Sequence, residues 1–196
     1  MKFDFEREDK KPRIKKNCFS ILLWIIQIIL VVGLAYFIVH FTIERTTVNG
    51  ISMENTLVEN DKIIINKFIY RFQKPQRFDV IVFKQSDKEH SFYNIKRVIG
   101  LPGETVQIEN GIVYINGKKL EEKVIVEEIQ NSGLAFEEVL LDENEYFVLG
   151  DNRNNSEDSR FANIGNVSFQ DIIGKAFIRT NGFTFIDTIN SRKEVE

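Results

Sequence analysis

Apolar residues are distributed along the chain in two ways. Residues 19–41, FSILLWIIQIILVVGLAYFIVHF, contain no Asp, Glu, Lys or Arg, and as a helix this stretch spans the roughly 30 Å of a bilayer's hydrocarbon. Beyond it, apolar residues come in short β-rich runs: 62–70, 78–85, 91–100, 105–109, 112–115, 145–150 and 172–180. These predict strands, with no long amphipathic helix competing. Asn110-Gly111 separates two alternating runs and predicts a hairpin over 105–115, because both residues accept the positive φ of a type I′ turn. Asn116-Gly117 predicts a second reversal. The fold class expected is mainly β: one N-terminal transmembrane helix, then an all-β barrel or folded-sheet domain. Residues 121–144 are acidic and weakly patterned, and read as a small insertion or flap. The run FIYRF (68–72) fits either an interfacial dip or a buried strand.

Length changes the picture little, since 196 residues suffice for one globular domain plus the span. The apolar stretch is too long for a cleaved secretory signal, whose core is about 7 to 15 residues, so residues 18–41 read as a retained anchor. Charge orients it. KKPRIKK (10–16) places five cations directly before the span, which predicts a cytoplasmic tail over 1–17 and an extracytoplasmic domain over 42–196 at the plasma membrane, crossing once. The tail is net +3, leaving the remainder net −6, which argues against nucleic acid as a partner. Cys18 is the only cysteine, so the outer domain has no disulfide.

Ser52, in NGISMENTL, is at first sight an ordinary turn serine. Lys96 lies among Ile95, Val98 and Ile99 on a run that alternation half buries. Burial lowers a lysine pKa, and a neutral lysine can take a serine's proton. A third stretch, LGDNRNNSEDSR (149–160), is crowded with short polar side chains. It is not a calcium loop: counted from Asp151, Arg153 and Ser156 stand where an oxygen ligand and a glycine are needed. His40 ends the span and His90 lies in a polar loop, so a serine/histidine/aspartate enzyme lacks its histidine. No metal cluster, Walker loop or dinucleotide fingerprint is present in the sequence.

Together these stretches resemble the type I signal peptidases, membrane-anchored serine/lysine endopeptidases, over nearly the whole chain. The nucleophile motif Ser-Met-x-Pro-Thr-Leu is matched by Ser52 to Leu57, with Asn55 in place of the proline. The lysine motif runs from Lys96 to Glu104, and the last motif from Gly150 to Arg160. The resemblance implies Ser52 as nucleophile, Lys96 as general base, and Ser156 as the residue that orients the lysine. It places the Ser52 N–H in the oxyanion hole and Gly50 where some members carry a second donor, as in the Gram-positive type. It makes Asp151 with Arg97, and Asp158 with Arg160, structural ion pairs.

The implied partners are signal-peptide-bearing preproteins and the lipid bilayer, with small residues at −1 and −3. Val48, Met53, Leu57 and Ile95 are expected to line the substrate pockets. Neither cofactor nor metal is expected. Asn55 is less constrained than proline and can adopt left-handed conformations. It motivates an alternative: a specialised or non-cleaving member serving pilus or surface-protein subunits.

Overall fold

The computed structural model describes residues 11–84 and 93–189. Residues 1–10 of the expected tail, His90 and residues 190–196 lie outside them, and Cys18 and His40 are described only in backbone. Two units are present, Met1–Phe41 and Thr42–Glu196.

The described part of the first unit is helical, belonging to α1 (Lys11–Thr42), whose last residue falls in the second unit. It starts well before the apolar boundary, because Lys and Arg are good helix formers and Pro12 falls in the first turn, where no backbone donor is needed. Within it, Phe19–Phe37 is long and apolar enough to cross a membrane, and none of that window is buried. A helix apolar on every side with no protein core around it is matched to lipid.

The second unit is built of β1 (Ile43–Thr47), β2 (Lys62–Asn66), β3 (Val80–Phe83), β4 (Asn94–Gly100), β5 (Thr105–Glu109), β6 (Ile112–Ile115), β7 (Lys118–Lys119), β8 (Val139–Leu140), β9 (Glu145–Leu149), β10 (Val167–Ser168), β11 (Ile172–Arg179) and β12 (Thr184–Phe185). The larger sheet runs β1-β2-β11-β3-β4-β9-β10, with β12 pairing β11. All its pairings are antiparallel, and register shifts in β4 and β11 let it curl. The smaller sheet runs β7-β6-β5-β8.

Local chemistry accounts for several boundaries. Asn110 and Gly111 have φ of 49° and 78°, and Asn116 and Gly117 have 51° and 72°, so both Asn-Gly pairs make the predicted reversals. The run 62–70 stops being a strand at Asn66, whose Oδ1 accepts from the N–H of Phe68 and Ile69. This side-chain-made turn competes with the ladder. FIYRF is therefore not a buried strand: Ile69–Arg71 is a 3-10 turn flanked by exposed Phe68 and Phe72. Residues 121–144 contribute β8 and a 3-10 turn (Gly133–Phe136), and Ile129, Ala135 and Leu141 pack into one core with Ile99, Phe147 and Leu149 of the larger sheet.

Candidate active site

β4 carries the lysine. It lies between β3 and β9, and every residue from Ile95 to Gly100 is buried, so Lys96 is only 5% exposed. Ser52 comes from the loop between β1 and β2, on a turn in which Glu54 N donates to Ile51 O and Thr56 N to Met53 O. Met53 and Leu57 are fully buried and seat this turn in the core. Lys96 Nζ reaches Ser52 Oγ at 2.7 Å. With the amine charged, nitrogen donates. Once it is neutral, the hydroxyl donates to the lone pair, which is the geometry a general base requires.

Burial pulls the Lys96 pKa down to about 8; the carboxylates of Asp158 and Glu157 oppose the shift and Arg160 assists it. Cleavage that depends on neutral Lys96 rises with pH through this pKa and then levels off. Glu157 is exposed and accepts from Asn163, so Glu157→Gln removes the charge without disturbing the core. The variant's rate–pH midpoint is expected below the parent's. An unchanged or higher midpoint would contradict this electrostatic account.

The two expected ion pairs are made. Arg97 Nε and Nη2 donate to the two oxygens of Asp151 at 2.8 and 2.6 Å, and Nη1 donates to Phe78 O. Both side chains are at most 3% exposed, and removing one partner of such a pair typically costs about 3–5 kcal/mol. Arg160 forks onto Asp158 at 2.8 and 2.9 Å, while Asp158 also accepts from Gly150 N. Thr56 was not singled out in the sequence reading, although its hydroxyl donates to Asp151 and so ties the nucleophile turn to Arg97. Its place four residues after Ser52 in the same motif was the available signal.

Ser156 departs from expectation. Among the described residues its buried Oγ has no hydrogen-bond partner, so the contact to Lys96 implied by the resemblance is not made in this structure. The hydroxyl is packed instead against the backbone of Gly150, where an added Cβ would lie 2.2 Å from Ser156 Oγ and 2.4 Å from Ser52 O. Only glycine allows that approach. Gly50 has φ of 86°, a conformation that strains a serine.

Val48, Met53, Leu57 and Ile95 fall into one apolar cluster. Met53 and Leu57 are closed off at 1% and 0% exposure, while Val48 and Ile95 keep 2% and 7%.

The loop 150–160 is braced from residues 122–134, which the sequence did not reveal. Arg153 Nη1 donates to Glu122, Gln130 N donates to Asn154 Oδ1, Arg160 Nη1 donates to Asn131 O, and Leu134 N donates to Arg160 O.

The family model described as signal peptidase, peptidase S26, matches residues 21–181. The chain belongs to that family. It is 45% identical over 154 residues to a signal peptidase I of Leptolyngbya laminosa, covering 76% of this chain and 73% of that one. It is 34% identical over 190 residues to signal peptidase I P of Bacillus subtilis subsp. natto, covering 93% and 98% respectively. A crystal structure of a signal peptidase I from Enterococcus faecalis V583 overlaps with a TM-score of 0.40 at 34% identity, covering 53% of this chain and 97% of that one. Signal peptidases of this kind are serine endopeptidases that remove signal peptides from preproteins. The apolar helix suits this signal peptidase to a membrane.

Proposed function

We propose that this chain removes signal peptides from exported preproteins at the outer face of the plasma membrane, with Ser52 as nucleophile and Lys96 as general base. The observation that carries it is the 2.7 Å contact between Lys96 Nζ and Ser52 Oγ, made by a lysine whose burial brings its pKa near 8. As Ser52 Oγ attacks the scissile carbonyl, its proton passes to Lys96. The tetrahedral oxyanion is held by the Ser52 N–H, and its collapse breaks the C–N bond while Lys96 returns the proton to the leaving amine. An ester between Ser52 and the signal peptide remains. Water then attacks that ester, losing its proton to Lys96, which restores the hydroxyl. The buried ion pairs stay outside the proton path and hold the elements that carry the two reacting groups.

Small residues at −1 and −3 follow from the family resemblance; of the side chains expected to line their pockets, all four are buried in one core cluster, Ile95 being the least closed at 7% exposure. The cations that precede the apolar stretch of α1 keep the N-terminus cytoplasmic. The formed serine/lysine pair supports cleavage over a purely binding role in surface-protein assembly. The test is cleavage, by the full-length protein in lipid vesicles, of a preprotein bearing an Ala-x-Ala site, beside Ser52→Ala. A cut after the −1 alanine that Ser52→Ala abolishes supports the assignment. A Ser52→Ala protein that still cuts there refutes it.

A further inference from the structure

Ser52 must be held to within a fraction of an ångström, yet its turn lies in a loop between strands, and a displacement of 1 Å can cost about 10²-fold in rate. Asn152 meets this turn at three points. Its N–H donates to Ser52 O at 3.1 Å, and its Nδ2 donates to Ile51 O at 3.1 Å and to Glu54 Oε2 at 3.0 Å. The other end of the amide is also held, since Asn155 Nδ2 donates to Asn152 Oδ1 at 3.1 Å. With both amide hydrogens and the oxygen occupied, the side chain has one orientation. The bond to the Glu54 carboxylate is charge-assisted, which makes it the strongest of the side-chain contacts.

We propose that Glu54 and Asn152 form a clip that positions the nucleophile, fixing the Ser52 turn against the loop 150–160 so that Oγ stays in line with Lys96. Glu54 fills the variable place of the Ser-Met-x-Pro-Thr-Leu motif, so the motif itself does not prescribe this half of the clip. Neither residue touches the scissile bond; both act through Ser52. The fold does not depend on the clip, because buried Met53, Thr56 and Leu57 already anchor the turn.

The inference rests on Ser52 being the nucleophile, and its test uses a swap of hydrogen-bond polarity. Asn152→Asp removes the donor and faces Glu54 with a second carboxylate. Adding Glu54→Gln lets the introduced amide donate to the introduced carboxylate, with the net charge of the parent restored. Steady-state cleavage of an Ala-x-Ala preprotein is measured in lipid, with thermal melting on the same samples.

For Asn152→Asp, kcat is expected to fall about tenfold or more with KM within about twofold. The double variant is expected to recover part of that loss, and the melting midpoints should change little. Recovery by the second change is what a merely structural role would not give. If both Asn152→Asp and Glu54→Ala cut at the parental rate, or the double variant is no faster than Asn152→Asp, the clip is refuted. Ser52→Ala run in parallel separates the two failures: an active Ser52→Ala overturns the nucleophile assignment, whereas a dead one beside fully active clip variants overturns the clip alone.

Discussion

Lys96→Met is expected to cut preprotein at least about 10³-fold more slowly than the parent at pH 8, because both the base and the leaving-group acid are lost in one change. It should also melt at the same temperature or higher. The reason lies in the direction of the lysine's pKa. Its value falls from 10.5 to about 8 in the folded chain, chiefly through burial. Between these two values the unfolded chain binds more protons, so parental stability rises with pH across that window. Below about pH 8 the folded protein carries the full penalty of a buried ammonium, on the order of 3 kcal/mol. Methionine, of similar length and uncharged, has no such penalty. Its advantage should be largest at pH 7 and disappear above about pH 10.5. Thermal melts of both proteins from pH 6 to 10, with cleavage rates on the same samples, check the two halves together. A variant within tenfold of the parent would remove Lys96 from the proton path, and a variant that destabilises most at low pH would reverse the electrostatic account.

Asn55→Pro restores the residue found in the family motif, yet it is expected to lower the cleavage rate at least about tenfold. Asn55 has φ of 79°. This is the positive φ that the third residue of a type II turn requires, in a turn closed by the bond from Thr56 N to Met53 O. Proline is confined near −65° and cannot take it. Forcing the ring into the chain rebuilds the turn that carries Ser52 at one end and Thr56, the partner of Asp151, at the other. Asn55→Gly should keep most of the rate. Asn55→Ala should fall between, since a left-handed alanine costs about 1–2 kcal/mol. Cleavage rates and melting midpoints across the three variants give the order. If Asn55→Pro matched or exceeded the parent, the turn would have to differ from the one described. Asn55 thus changes the kind of turn used rather than loosening the one the motif implies.

The sequence by itself determined those features whose causes lie within a few residues. An uncharged stretch from 19 to 41 needs no tertiary information to be read as a span, because hydropathy and length settle it. Strands 105–109 and 112–115 were legible to the residue, since alternation and an Asn-Gly turn are local signals. Ser52, Lys96 and the two ion pairs were legible because ordered motifs carried the resemblance.

Only the tertiary structure decided what depends on strand register and on segments far apart in the chain. The Thr56 hydroxyl meets Asp151 across 95 residues, and Asn152 meets Glu54 across 98. No local pattern encodes such pairings, because they exist only once β4 lies between β3 and β9 and brings the loop 150–160 over the Ser52 turn. The depressed pKa of Lys96 is of the same kind: alternation half buried the residue, but strands on both sides and packed cores closed it to 5% exposure. The end of the strand at Asn66 was likewise decided by side-chain hydrogen bonds that a run of residue types does not specify.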